Sequence, residues 1–447
     1  MKQKTEQWSS KLGFILSSAG AAIGLGAIWK FPYVTGMSGG GAFFLIFVLF
    51  TVLIGLPLLL AEFIIGRGSG KEAISAYKKL APKSVSIWIG RLGVVGCFLL
   101  LSFYSVVGGW VLIYSSMSVL GKIIAPQVEY GALFETVIGT PWITIIGLFI
   151  FTLANVIVVS SGIQAGIEKA NKYMMPLLFI FFLILVVRAL TLDGAMEGVQ
   201  FFLAPDFSNI TGDSILYALG QSFFSLAVGF SCMVTYSSYL KKDVSLPQSA
   251  GTVVSLNILV SLLAGLAIFP VVFAFGYEPA EGPGLLFIVL PAIFSEIPFG
   301  SVFLALFLLL FLFATLTSSF SLYEIIVAAV TENRKARRKP TTWMIGLVIF
   351  AAAIPSALAS SSLSNVLIFN QSIFDATDFL VSNIMLPIGS FLIAIFIVRK
   401  MDQALVKEEF HLANGISSSV YHIWYFLMKW IIPLTIVIVM FNTLGIW

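Results

Sequence analysis

Residues 11–35, KLGFILSSAGAAIGLGAIWKFPYVT, form an apolar stretch long enough to cross a bilayer, and its middle resists the helix that crossing demands. Gly20, Gly24 and Gly26 fall within seven positions, and each costs about 1 kcal/mol relative to alanine inside a helix. Backbone freed from a helix is tolerated at membrane depth only where it is buried in protein or lines a cavity. Its carbonyls can then hold a cation, and the N-terminus of the resumed half-helix can hold an anionic group. A close helix–helix contact without unwinding is the competing explanation of the same glycines.

The rest of the chain fits a membrane setting. It has 447 residues, 59% hydrophobic and 10% charged, with a mean hydropathy of +1.02. So little polar surface implies an all-α polytopic membrane protein. Eleven candidate spans lie near 11–35, 41–66, 88–121, 142–160, 167–190, 214–240, 248–276, 301–331, 341–360, 376–398 and 421–445; they are numbered 1 to 11 below. Segment 277–300 is punctuated by proline and reads as an external loop carrying a short non-spanning helix. The first span follows Trp8 and Lys11 and leads into further spans, so it reads as an uncleaved helix rather than a leader. Cys97 and Cys232 lie in apolar runs and make no disulfide framework. His411 and His422 are isolated in a polar, cytoplasmic stretch, where a structural role suits them better than catalysis.

Charge placement sets the orientation. With the N-terminus cytoplasmic, 21 of the 25 Lys and Arg fall in cytoplasmic segments, among them Arg67, Lys78, Lys79, Lys169, Lys241, Arg334, Arg338 and Arg399. External loops keep Lys122 and Arg188, and carry acidic residues such as Glu129, Asp193, Asp213, Glu278, Glu281 and Asp375. This is the positive-inside pattern, and it puts the C-terminus outside. The basic patches are therefore a topology signal, with some contact to anionic lipid, and call for no nucleic acid.

Span 6 repeats the anomaly of span 1. Ser222, Ser225, Gly229 and Ser231 weaken its middle, and it runs in the opposite direction. Two interrupted spans, five helices apart and oppositely oriented, suggest two inverted five-helix repeats, 11–190 and 213–400, within a single transporter domain. Residues 401–447 then form a cytoplasmic linker and an eleventh helix. Such an interrupted pair is a sequence pointer to a transporter's binding site.

The motifs at these positions resemble one family. AAIGLGAIWKFPY at 21–33, GGGAFF at 39–44, Gly55–Leu56–Pro57 through Glu62 to Gly66–Arg67, SFFSLAVGFSCMVTYSSY at 222–239 and FATLTSS at 313–319 are similar to the neurotransmitter:sodium symporters, in order and in the matching spans. The branch most resembled is that of the bacterial multi-hydrophobic amino acid transporters, which have eleven helices. The resemblance implies spans 1 and 6 unwound at mid-membrane, a bacterial plasma-membrane location, no enzymatic activity and no obligatory protein partner. The inverted-repeat fold is general to the family.

The resemblance also implies two sodium sites. One is formed by the backbone of Gly20, Ile23 and Ala314 with the hydroxyls of Thr317 and Ser318; the other by the Ala22 carbonyl, Ser225 and Asn257. On residues alone, Thr317–Ser318–Ser319 is a polar triplet in an apolar run that back-bonding to the preceding turn would also explain. Ala27 stands where many members supply an Asn oxygen, so one ligand of the second site is missing or is replaced by water or another side chain. Substrate would meet the amides near Leu25 and Gly26 and the Tyr104 hydroxyl through its carboxylate. Its amino group would meet carbonyls of Ala22, Phe224, Ser225 and Ala227. Leu100, Phe224, Phe230, Ser318 and Leu322 would surround its side chain. Monoamine members place Asp where this chain has Gly24; glycine leaves room for the substrate's own carboxylate, so an amino acid with an apolar or aromatic side chain is expected.

Lys30 and Asp378 match the family's external gate pair. Lys lacks arginine's planar fork, so a looser, water-bridged gate is expected. Trp8 and Glu332 match parts of the cytoplasmic gate, whose usual Arg is replaced by Thr5, with Lys4 as the candidate substitute. Glu62 is expected to bind backbone of span 1 or 6 near the breaks, and Glu324 to lie in the cytoplasmic half of span 8. Gln221, Ser225, Asn257 and Ser261 match positions around chloride in chloride-dependent members, but Phe47 stands where a Tyr hydroxyl belongs, and chloride use stays open. In span 5, Gly166 and Pro176 flank Asn171, and that half is expected to unwind and let water reach the first sodium site. These residues together predict sodium-coupled import of hydrophobic L-amino acids by alternating access. The alternatives are a sodium-independent facilitator, for which no continuous polar stripe is found, and a substrate sensor of the same fold. A membrane enzyme would need a buried cluster of catalytic groups, which the two peripheral His do not supply.

Overall fold

The computed structural model describes residues 6–124, 128–277, 284–332, 335–413 and 417–443. Lys2, Lys4, Thr5, Glu278, Glu281 and Arg334 lie outside them. The chain is almost entirely helical; one small hairpin pairs Leu367–Ile368 with Gln371–Ser372.

Among the described residues, nine helices are long and apolar enough to cross a membrane: Gly41–Ser69, Ile87–Val119, Pro141–Ser160, Ile163–Leu190, Leu246–Ala274, Gly300–Thr331, Arg337–Ala357, Ile373–Arg399 and Ser418–Asn442. Helices Lys11–Ala22 and Gly26–Met37 make a tenth if taken as one span bent by 52°. The sequence predicted eleven. The difference is span 6, which consists of Gly212–Leu226 and Cys232–Ser237, each too short to cross alone. Between 277 and 300, a short helix over Leu285–Glu296 occupies the expected place. Short helices at Tyr130–Gly139 and Ala195–Leu203 were not anticipated.

Local chemistry explains the helix starts. Ser10 accepts the Gly13 amide at 3.0 Å and caps span 1; Thr211 does the same for span 6 from the Ser214 amide at 3.1 Å. Small residues bring helices close: a Cβ on Gly109 would lie 2.7 Å from the backbone of Gly147, joining span 3 to span 4. Spans 3 and 8 pack along each other, and the first half of span 1 lies against spans 5, 7 and 8. Trp142, Phe149, Leu183, Val187 and Leu347 are exposed on the outside, which suits side chains solvated by lipid.

Candidate functional site

Span 1 stops at Ala22, bends at Ile23–Gly24 and resumes at Gly26 through a wide π-helical turn to Lys30. Span 6 stops at Leu226 and resumes at Cys232. Between, Ala227 (φ 51°), Gly229 (φ 105°) and Ser231 (φ 59°) take left-handed backbone. Gly229 has no alternative: its φ is positive, and a Cβ would lie 2.6 Å from the Leu386 carbonyl of span 10.

The two interruptions face each other. A Cβ on Gly26 would lie 2.8 Å from Phe224 Cδ1 and 3.2 Å from Ser225 Cα. Gln221 Nε2 donates to the Gly26 carbonyl at 2.6 Å. An amide therefore does reach the stretch beside Ala27, but from span 6. Asn257 ties the set together: Nδ2 donates to the Ser225 carbonyl at 3.0 Å and to the Ala22 carbonyl at 3.4 Å, and Oδ1 accepts from Ser225 Oγ at 3.3 Å. All three residues expected at one cation site are thus in contact. Ser261, of the chloride-type set, is buried, and its hydroxyl has no partner among the described residues.

The other expected cation set also converges. Ser318 Oγ donates to the Ala21 carbonyl at 3.0 Å, which joins span 8 to the end of the first half of span 1. Thr317 Oγ1 donates to the Ala314 carbonyl at 3.1 Å. A Cβ on Gly20 would lie 3.0 Å from Thr317 Cβ. Because both hydroxyl hydrogens are spent on carbonyls, both hydroxyl oxygens keep lone pairs for a cation. Neutral oxygens of this kind suit a monovalent ion that must leave again.

Around the breaks, the Tyr104 hydroxyl donates to the Thr315 carbonyl at 3.3 Å and lies by Ser318 and the Leu25 backbone. Leu100, Tyr104, Phe230 and Leu322 are buried; Phe230 packs on span 3, where a Cβ on Gly96 would lie 2.5 Å from its ring. A cavity of about 610 Å³ opens above them, lined by Lys30, Tyr33, Gln221, Phe224, Asp375 and Asp378, among others. Of the expected substrate wall only Phe224 reaches that cavity. The Lys30 ammonium sits 4.6 Å from the Phe224 ring centre, a cation–π contact on the wall of that cavity.

Lys30 Nζ donates directly to both oxygens of Asp378, at 3.3 and 3.1 Å, so the pair expected to form a water-bridged gate is in direct contact. Ser382 Oγ supports Asp378 at 2.6 Å. The pair is part-exposed, at 24% and 28%, so it adds only about 1 kcal/mol to stability. Asp378→Asn is expected to shift unfolding by no more than that while slowing uptake several-fold; thermal melts and initial uptake rates check the split.

Glu62 binds span 6, as expected of it. Its carboxylate accepts the Gly229 amide at 2.7 Å and the Met233 amide at 3.1 Å, so it caps the resumed half-helix. Glu62→Gln would turn one acceptor into a donor facing an N–H. A loss of about 2–4 kcal/mol in unfolding stability is expected, read as a lower melting temperature than for a surface Glu→Gln control.

At the other end of span 1, Trp8 is buried; its ring N–H donates to the Tyr236 carbonyl at 2.8 Å, and its amide to the Tyr239 carbonyl at 3.2 Å. Tyr239 donates to Glu324 at 2.8 Å. Arg338 forks onto both Glu324 oxygens, one at 3.0 Å, and donates to the Val159 carbonyl at 3.0 and 2.8 Å. Sequence reasoning counted Arg338 only as a topology charge. Glu332 ends span 8 on the surface with left-handed backbone (φ 48°). Two further clasps were missed. Arg67 pairs with Glu409 at 2.6 Å, both buried. Glu168, at the start of span 5, accepts the Ser9 amide at 2.9 Å and both the Ser9 and Ser10 hydroxyls.

The model of the sodium:neurotransmitter symporter family matches residues 5–126 and 136–446. A sodium-dependent transporter of Bacillus subtilis (strain 168), YhdH, is 51% identical over 446 residues, covering 100% of this chain and 99% of that one. A sodium-dependent transporter of Haemophilus influenzae is 37% identical over 454 residues, covering 99% of each. The crystal structure of MhsT in complex with L-phenylalanine superposes with a TM-score of 0.91 at 39% identity, over 98% of this chain and 100% of that one. The chain therefore belongs to the sodium:neurotransmitter symporter family and is a multi-pass, sodium-dependent membrane transporter rather than an enzyme.

Proposed function

We propose that this transporter imports hydrophobic L-amino acids, aliphatic and aromatic, together with sodium across a bacterial plasma membrane. Alternating access carries them past the paired breaks in spans 1 and 6. The observation that carries this reading is Asn257 joining the Ala22 carbonyl at one break to Ser225 at the other. Two sodium ions are assigned. Gly20, Ile23, Ala314, Thr317 and Ser318 hold the first; Ala22, Ser225 and Asn257 hold the second beside the substrate carboxylate. The amides of Leu25 and Gly26 and the Tyr104 hydroxyl take that carboxylate; carbonyls of Phe224 and Ala227 take the amino group. Leu100, Phe230 and Leu322 are apolar walls with no counter-charge, which favours apolar side chains. The likeness to a transporter solved with L-phenylalanine supports the same class.

On this reading the chain crosses the membrane eleven times, counting span 6 as one broken crossing. The N-terminus is cytoplasmic and the C-terminus outside, and 11–190 and 213–400 are inverted repeats followed by a linker and an eleventh helix. The Lys30–Asp378 pair closes the outer side, and the cluster of Trp8, Tyr239, Glu324 and Arg338 the inner side, with Glu332 beyond it. Moving one charge inward gains about 2.3 kcal/mol per 100 mV, and each tenfold ion gradient adds about 1.4 kcal/mol. Two sodium ions with a zwitterion therefore suffice to concentrate substrate roughly a hundredfold or more. The test is uptake of a panel of labelled amino acids into proteoliposomes with and without a sodium gradient. Leucine- and phenylalanine-type substrates should accumulate only with the gradient; equal uptake without it, or preference for charged amino acids, would refute the reading.

A further inference from the structure

Asn171 lies in the first turn of the regular part of span 5, just after the wide turn Ile163–Glu168, and is fully buried. Its Nδ2 donates to the Ile167 carbonyl at 2.8 Å, which fixes the other atom as the oxygen. That oxygen has no donor among the described residues. Buried acceptors are rarely left so, because an unmatched one is costly. The oxygen faces span 1: a Cβ on Gly20 would strike Asn171 Oδ1 first, then Thr317 Cβ at 3.0 Å and Met175 Sδ at 3.3 Å. Ser17, one turn earlier on span 1, is also buried with an unpartnered hydroxyl. The orphan oxygen thus sits against Gly20 of the Gly20–Thr317 cation set, with Thr317 bordering the same space, on the side of the wide turn. Glu168, three residues earlier, latches Ser9 and Ser10 at the start of span 1.

We propose that Asn171 Oδ1 is the oxygen to which sodium passes when it leaves the Gly20–Thr317 set, holding the ion while it regains water at the 163–168 turn. This rests on the sodium site assigned above. A neutral amide oxygen is suited to the task, since a carboxylate there would trap the ion. Asn171 touches the ion only during release and adds nothing to amino-acid recognition.

The test is equilibrium binding and dissociation of 22Na⁺ with the purified full chain in lipid nanodiscs, beside sodium-driven uptake. Asn171→Leu keeps the volume and removes the oxygen. It should slow dissociation at least tenfold and uptake in proportion, with a much smaller change in half-saturating sodium. Asn171→Ala leaves space in which water can replace the oxygen, so its dissociation rate should fall between those of Asn171→Leu and the unmodified chain. If Asn171→Leu does not fold, Asn171→Ala alone decides, by slowing release or not. Release at the unmodified rate, or a loss of affinity as large as any rate effect, would overturn the proposal. If the unmodified chain binds no 22Na⁺, the sodium site itself is wrong; if it binds and the variants release alike, only the role of Asn171 is.

Discussion

Gly24→Asp is expected to abolish amino-acid binding in a chain that still folds. A Cβ at Gly24 would lie 2.6 Å from Ser318 Oγ, 2.7 Å from Ser318 Cβ and 2.9 Å from the Tyr104 hydroxyl. The room that sequence reasoning assigned to the substrate carboxylate is therefore enclosed by the two residues meant to receive sodium and substrate. Even alanine must push Ser318 away from its bond to the Ala21 carbonyl. Overpacking of this kind costs about 1–3 kcal/mol, so Gly24→Ala should weaken binding by roughly 5- to 150-fold. Aspartate adds a buried negative charge where the substrate places its own, and the loss should pass beyond detection. Equilibrium binding of a labelled amino acid, beside a thermal melt showing a folded chain, measures this. Unimpaired binding by Gly24→Asp would remove the carboxylate from the first break.

The second large effect concerns Arg338. Among the described residues, its guanidinium is the one cation hydrogen-bonded to Glu324, which is itself fully buried and also accepts from Tyr239. Breaking a buried pair by removing one partner costs about 3–5 kcal/mol, because the remaining charge is left uncompensated. Arg338→Met should therefore lower the melting temperature sharply. Tyr239 also touches Trp8, so the loss should loosen the Trp8 end of span 1 and expose it to thiol reagents at a cysteine introduced there. Arg338→Met with Glu324→Gln leaves no buried charge and should recover most of the stability. A double variant as unstable as the single one would show that the pair is not the source of the effect.

How much of this was legible depended on the range of the interaction. Lipid imposes a length and an apolarity on each helix, and spans such as 142–160 and 301–331 differ from Pro141–Ser160 and Gly300–Thr331 by a single residue at one end. The weak points were legible too. Gly24 and Gly229 mark positions where helical backbone ends, and the helices stop at Ala22 and Leu226. What stayed hidden was pairing between distant residues of unremarkable local pattern. Arg67 and Glu409 are 342 positions apart, and nothing around either names the other. Arg338 sat in a basic run already explained by topology, and that sufficient explanation concealed a second role. Lys30 was read from side-chain chemistry as a loose gate; its stem simply reaches Asp378, and the ammonium rests on Phe224 as well. The helices at 130–139 and 195–203 are too short and too mixed in composition to announce themselves beside lipid-length runs.

The central claim is that sodium and an amino acid occupy one shared site, completing each other's coordination at the Ala22 and Ser225 breaks. Equilibrium binding of labelled leucine to the purified chain, titrated with sodium at constant ionic strength, tests it most directly. Affinity should rise steeply as sodium replaces potassium and should fall at least tenfold in Asn257→Ala. Binding that is indifferent to sodium, with Asn257→Ala equal to the unmodified chain, would contradict it.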